Sequence, residues 1–503
     1  MRPSPHAELD AEILAARKGP KVVAFFDFDG TLISGFSAST FVRDRIRRME
    51  VTPAEISALF FAGLDAGLGR KDMASVIGEA ANMWKGKSEA DLIALGEKLF
   101  RKSIAATVFP EARALVAAHQ KMGHLVVIAS SATRFQIAPL ARDLGIEHIL
   151  CTELQVKDGL LTGAIKGDVL WGEGKANAVD KFCHRKKLDL NECFGYANGD
   201  EDVFFLDIVG KPRPVNPASA LARHAREHEW PIRRFEKRGG IPSLTSVART
   251  TAAIMGAGAI MGLGVGVGLL NRNRRDAANT VTSIGPELSL ALAGVQLNIV
   301  GEENVWAQRP AVFIFNHQSG IDPMVVGAIL KRDFTGVAKK ELLSNPLIGP
   351  AGYLMGAAFV ERGNTDQAKK ALAPVVEKLK SGTSIIISPE GTRSPTPTPG
   401  PFKKGAFHMA LQAGVPIVPI IIRNAGEIMW RDAMFANAGT IDVAVLPPID
   451  VSSWTAETMD AHVAKLRDIY VASIGEWRLA QALARGEGAS QKPKRAPRKR
   501  KVP

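Results

Sequence analysis

The chain has 503 residues, 46% hydrophobic and 23% charged, with a formal net charge of +13. That length is too great for one ordinary core, and that composition rules out a largely disordered chain, so two or three folded domains are expected. Three cysteines, Cys151, Cys183 and Cys193, show no metal-ligand spacing. They provide no disulfide framework and fit a reducing, cytosolic setting.

In chain order, residues 1–20 read as an N-terminal extension. The segment carries acids and has no long apolar run, so it does not resemble a secretory signal. Residues 21–32, KVVAFFDFDGTL, predict a buried strand that ends in a loop. Residues 124–131 (HLVVIASS) and 193–200 (CFGYANGD) repeat the pattern. Between the first two, about 37–120, the apolar spacing is helical, which places a helical cap above the strand ends. Strands alternating with helices predict an α/β fold with a parallel sheet.

Asp27 and Asp29 stand two apart at the end of the first strand, so both side chains share one side. One can attack phosphorus while the other protonates the leaving oxygen and then activates water. Ser130 and Lys175 are placed to hold a phosphoryl group. Asp202, with Asn198 and Asp200, offers hard oxygen ligands for Mg²⁺. Open parallel sheets collect ligands at these strand ends.

These residues resemble the four motifs of the haloacid dehalogenase superfamily, in its phosphoserine-phosphatase-like branch. The resemblance covers about 20–217 and implies a Rossmann-like domain, here bounded as 21–235. It makes Asp27 the nucleophile and Asp29 the general acid/base. It places Mg²⁺ among Asp27, the Asp29 carbonyl and Asp202. Where family members often carry an acid, this chain has Asn198, and Asp200 is the residue able to compensate.

Residues 236–284 read as a linker. Within it, 251–270 form a twenty-residue run without charge, long enough to cross a bilayer and flanked by Arg249, Arg272, Arg274 and Arg275. Gly258, Gly262 and Gly266, four apart, suggest a small-residue helix-packing face. A second α/β pattern follows over 285–480, with apolar strand candidates at 311–316, 382–388 and 415–422. His317 follows the first of these and Asp322 comes five residues later, a spacing that suits a general base and the carboxylate that orients it. PEGTRS (389–394) follows the next strand, and Arg362 and Arg393 suit bidentate phosphate contacts.

The order HxxxxD, GxxFVxR, PEGTRS, VPIVP resembles the 1-acyl-glycerol-3-phosphate acyltransferases. The resemblance implies His317 as base and Asp322 as its partner. Arg362, Glu390, Gly391, Thr392 and Arg393 would form the glycerophosphate site, and Lys339 would hold phosphate or face the membrane. The expected substrates are lysophosphatidic acid and acyl-CoA or acyl carrier protein, with a phospholipid surface as partner. Both catalytic domains are expected on the cytoplasmic face, so 251–270 should enter the membrane and return, or lie along it with Leu288–Val300. Glycerol 3-phosphate as acceptor, a non-catalytic N-terminal module, and a recruited scaffold stay open as alternatives. Residues 487–503 read as a basic, disordered tail, and its lack of aromatic residues argues against nucleic acid as a partner.

Overall fold

The computed structural model describes residues 12–50, 73–236, 242–344, 348–360 and 365–490. The chain forms two compact units, meeting in sequence between Gly239 and Gly240.

The first unit is built on six strands: β1 (Val23–Phe26), β2 (Leu125–Thr133), β3 (His148–Lys157), β4 (Leu160–Lys166), β5 (Phe194–Ala197) and β6 (Lys211–Pro214). Their order is β4-β3-β2-β1-β5-β6, parallel except for β4. β1 is central and every residue in it is buried, as its unbroken apolar run requires of a strand covered on both faces. The β3–β4 hairpin turns on Asp158-Gly159, both at positive φ, the backbone that an Asp-Gly pair accepts readily. β6 carries Pro212 and Pro214, and it lies at the sheet edge, where a missing N–H does least harm. The predicted cap is present as helices Ser37–Arg47, Met73–Asn82 and Glu89–Lys102, before Pro110–Lys121 returns to β2. The cap's residues 51–72 lie outside the described set.

The second unit holds β7 (Val295–Val300), β8 (Val312–Phe315), β9 (Phe334–Lys339), β10 (Ala358–Val360), β11 (Ser384–Ile387), β12 (Ile417–Ile422) and β13 (Gly439–Val445). Their order is β10-β9-β11-β8-β12-β13-β7, with only the β12–β13 pair antiparallel. The three strand candidates read from sequence are β8, β11 and β12, side by side at the centre. The other strands escaped notice because they are short, polar or on the edge.

Residues 240–284, expected as a linker, belong to this second unit. The apolar run lies in helix Leu244–Asn271, and helix Arg274–Ala293 returns antiparallel beside it. Polar first turns pin the first helix to its own unit: Ser246 Oγ bonds Asn437, Thr250 Oγ1 accepts from Ala436 N, and Ala253 joins the core. The predicted glycine face is out of phase. A Cβ at Gly258, Gly262 or Gly266 would meet open space. Gly256, Gly264 and Gly268 are the ones pressed against the returning helix, at Leu292, Val281 and Ala277. Four-residue spacing is correct for a close helix pair, but several small residues shared it, and the facing Leu, Val and Ala side chains decide which row is used. Residues 295–300, expected beside the membrane, are instead strand β7. The helix Met459–Ser490 extends into the predicted tail, whose residues 491–503 lie outside the described set.

Candidate active sites

Pairing of β1 with β2 and β5 aligns Phe26 with Ile128 and Tyr196, so the residues just beyond them converge at one sheet end. Asp27 N donates to Tyr196 O (2.8 Å), which continues the ladder one residue past the strand. Lys175, on helix Glu173–Lys186, bonds Asp27 Oδ1 (2.9 Å) and Asp202 Oδ1 (2.5 Å), and all three side chains are buried. Burial opposes the ammonium charge, but the Asp202 and Asp27 carboxylates outweigh it and hold the lysine pKa above its ordinary value. Burial raises the Asp27 pKa despite the lysine. Two acids therefore share one cation, which leaves excess negative charge in a closed place.

Asp29 accepts from Ser37 N (2.8 Å) and Ser37 Oγ (3.1 Å) at the start of the first cap helix. Gln136, which closes the capping box of helix Arg134–Asp143, also donates to Ser37 Oγ (2.9 Å). Burial pushes the Asp29 carboxyl up to about 7. Ser130 is buried and accepts from Ala132 N across a β-bulge at the end of β2. Asn198 Oδ1 accepts from Thr31 Oγ1 (3.0 Å), and its amide fills the space where a Cβ on Gly30 would stand. That close approach is why position 30, at φ +78°, must be glycine.

One member of the predicted set is engaged elsewhere. Asp200 is exposed, and its Oδ1 accepts from Leu221 N (2.8 Å) in the first turn of helix Ser219–Glu227. It serves as a helix cap and is not gathered with Asp27 and Asp202. The residue not anticipated is Glu201, whose partly buried carboxyl burial pushes up to about 7, with the Asp202 charge adding to it. In sequence it is one more acid among three.

In the second unit, β8 lies between β11 and β12, so the loops after these strands meet. His317 Nδ1 bonds Asp322 Oδ2 (2.8 Å), and that oxygen also accepts from Gln318 N (2.7 Å) and Ser319 N (2.8 Å). The fully buried Asp322 thus fixes the imidazole and the backbone around it, at the start of helix Asp322–Leu330. An ionised carboxylate only accepts, so Nδ1 carries the proton and Nε2 is left basic. No described residue bonds Nε2, and the ring is partly exposed.

Glu390 ties the motif loops together. It accepts from His317 N (2.7 Å), Gly400 N (2.7 Å) and Ser394 Oγ, and Ser394 N in turn donates to His317 O (2.7 Å). Burial raises its pKa against those bonds. Asn316 locks β8 to β12 by reciprocal bonds with the Ile422 backbone, 2.7 and 2.8 Å. Arg393 Nη1 donates to Arg431 O and lies 3.8 Å from where a Cβ on Gly320 would stand, inside the His317–Asp322 loop. Gly391 has φ +69°, and a Cβ there would meet Lys403 Nζ at 3.0 Å. Lys403 and Arg431 are cations that the motif reading missed. Thr392 is exposed beside them. Lys339 ends β9, two strands from β8, and pairs with Glu341 (2.8 Å). Arg362 lies outside the described residues.

The family model for haloacid dehalogenase-like hydrolases matches residues 24–207. Phosphoserine phosphatase SerB1 of Mycobacterium tuberculosis is 33% identical over 240 residues, which cover 46% of this chain and 78% of that protein. The chain belongs to the haloacid dehalogenase-like hydrolases. The acyltransferase family model matches residues 296–423. The 1-acyl-sn-glycerol-3-phosphate acyltransferase of Saccharomyces cerevisiae is 35% identical over 188 residues, covering 37% of this chain and 62% of the yeast enzyme. That of Limnanthes alba is 35% identical over 189 residues, covering 37% of this chain and 66% of the plant enzyme. The chain spans less than two thirds of these two acyltransferases. It joins a hydrolase domain, whose Asp27, Lys175 and Asp202 are buried at the strand ends, to an acyltransferase domain, whose histidine is partly exposed.

Proposed function

We propose that the chain is a bifunctional lipid enzyme. Its acyltransferase domain moves an acyl group from acyl-CoA or acyl carrier protein to 1-acyl-sn-glycerol 3-phosphate, giving phosphatidic acid. Its hydrolase domain is a Mg²⁺-dependent phosphomonoesterase. The observation that carries the reading is the His317–Asp322 pair joined through His317 N to Glu390, which unites two distant motifs in one basic site.

His317 Nε2 takes the proton from the acceptor hydroxyl as that oxygen attacks the thioester carbonyl. Asp322 holds Nδ1–H and stabilises the imidazolium, which then returns the proton to the departing thiolate. Arg393, Thr392, Lys403 and, in the motif, Arg362 supply charge and donors for the glycerophosphate; Lys339 serves the membrane surface.

In the hydrolase domain, Asp27 attacks phosphorus and the P–O bond to the alcohol breaks. Asp29, protonated because burial raises its pKa, gives its proton to the leaving oxygen. Asp29 then takes a proton from water as the aspartyl phosphate hydrolyses. Ser130 and Lys175 hold the phosphoryl oxygens. The all-oxygen donor set and the surplus of acid over Lys175 fit a magnesium ion held by Asp27, Asp202, the Asp29 carbonyl and Asn198. When bound, the ion supplies charge neutralisation for the transferring phosphoryl group.

Membrane association is supported by the single helix among the described residues long and apolar enough to cross a bilayer, Leu244–Asn271, whose most apolar 18 residues have a mean hydropathy of 2.0. Met255, Leu263, Leu269 and Leu270 on it are exposed. Its antiparallel return, with Arg274 bonded to Leu354 O and Arg275 to Asp333 at the turn, supports a hairpin lying along the membrane on one face, with both catalytic domains cytoplasmic.

The test is purified protein in detergent micelles, given labelled lysophosphatidic acid, acyl-CoA and Mg²⁺, with lipid products separated. Phosphatidic acid should form and should vanish in His317→Ala. Transfer to glycerol 3-phosphate alone, or to neither acceptor, would overturn the acceptor assignment.

A further inference from the structure

The C-terminal end of helix Ser219–Glu227 presents a second cluster of ligand-type side chains, and neither proposed reaction uses it. His224, Glu227 and His228 each offer a ligand atom, and these atoms lie within 4.8 Å of one another. The sequence H-A-R-E-H sets them at i, i+3 and i+4, one face of a helix.

The hydrogen bonds prepare both imidazoles. His224 Nε2 bonds Asp207 Oδ1 (2.9 Å), and His228 Nδ1 bonds the His224 carbonyl (3.0 Å). A carboxylate and a carbonyl can only accept, so these nitrogens carry the protons. His224 Nδ1 and His228 Nε2 are then left with free lone pairs, the form in which imidazole binds a metal. An imidazole donating its other N–H to a carboxylate or carbonyl is the usual outer shell of a metal-bound histidine. The rings stack with centroids 4.0 Å apart, and Trp230 lies edge-on to His224 at 4.9 Å. The cluster is partly exposed, so a cation can reach it, and it sits at a helix C-terminus, where backbone carbonyls favour positive charge.

We propose that His224, Glu227 and His228 bind one borderline divalent transition metal of the zinc class. Asp207 orients His224, and water completes the coordination. Two imidazoles and one carboxylate suit Zn²⁺ better than Mg²⁺, which prefers oxygen alone. Asp207 ends the helix Val203–Asp207, which begins one residue after Asp202. The Asp207–His224 hydrogen bond therefore links the proposed site to the segment carrying a phosphatase ligand.

The test is calorimetric titration of the full chain in detergent with Zn²⁺, in excess Mg²⁺ so that the all-oxygen site is filled. Thermal unfolding is followed in parallel. The wild type should bind one equivalent and unfold at a higher temperature with Zn²⁺. His224→Gln/His228→Gln should lose both effects while keeping its circular dichroism. Asp207→Asn, which touches no metal, should bind about tenfold more weakly. Zn²⁺ binding unchanged in the double variant, or absent from the wild type, would overturn the proposal.

Discussion

The two catalytic domains bury carboxylates for opposite purposes. In the hydrolase domain, Asp27 and Asp202 are buried against an ammonium, and the charges face one another. In the acyltransferase domain, Asp322 and Glu390 are buried against backbone N–H groups and shape loops. The first arrangement keeps charge available to a phosphoryl group. The second uses charge as scaffolding and leaves the reactive nitrogen toward solvent. A buried acid thus acquires its role from its partner, not from its burial.

The sharpest way to break this comparison is to remove each reactive group in turn. His317→Ala should lower acyl transfer by about 10²–10⁴-fold, the usual worth of a general base. Asp27→Asn should bring phosphate release to background. Each should leave the other rate unchanged, and assaying both products from one preparation checks it. Loss of both activities in either variant would mean that the sites are not independent.

Glu390 sharpens the scaffolding half. Glu390→Gln removes a charged acceptor of three hydrogen bonds, each worth about 1.5–3 kcal/mol when the acceptor is ionised. Acyl transfer should fall about 10- to 100-fold, the rate equivalent of one such bond. The rate should drop without a change in its pH profile, because the base itself is intact. A full rate would remove Glu390 from the loop's support.

A smaller effect concerns the hydrolase domain's back wall. Tyr196 OH bonds His119 Nε2 (3.0 Å), His119 Nδ1 meets His124 Nδ1 (2.8 Å), and His124 Nε2 bonds the Arg17 carbonyl (2.9 Å). Burial, with His124, Arg233 and Lys211 nearby, holds the His119 pKa well below its usual value. Below about pH 6.5 the unfolded chain takes up the proton and the folded chain does not. Stability should therefore fall as pH drops, by about 1.4 kcal/mol per pH unit, until the folded pKa is reached. Urea unfolding of the wild type and His119→Gln between pH 7.5 and 5 measures it, and equal slopes would refute it. The smallest effect expected is that of Asp200→Asn. It should cost about 0.3–1 kcal/mol through the lost charge at the helix N-terminus, its amide oxygen still accepting from Leu221 N, and leave phosphate release and its response to Mg²⁺ unchanged.

The sequence disclosed what is local. DFDGT, HQSGID and PEGTRS lie on loops after unbroken apolar strands, and both the strand and its loop can be read from one short window. Strand order follows from the parallel α/β pattern only in outline: polar β7 and proline-bearing β6 gave no such window. Partners across the fold were not legible either. Nothing near Ser37 announces that it will hold Asp29, nothing near Arg431 that it will meet Arg393, and Tyr470 reaches the Ile314 carbonyl from 156 residues away. Asp200 misled because three clustered acids look alike until a helix N-terminus claims one of them.

The pinning of helix Leu244–Asn271 to Ala436 and Asn437 bears on how such a fusion can be inherited. The apolar hairpin is a component of the acyltransferase unit, so it is not a tether added to hold two enzymes together. A gene rearrangement that exchanged the N-terminal partner near residue 240 would carry the apolar hairpin along with the acyltransferase. A break near residue 285 would part Ser246, Thr250 and Ala253 from Asn437, Ala436 and the core of the acyltransferase unit. Evolution can therefore vary the hydrolase partner without cutting into the acyltransferase unit.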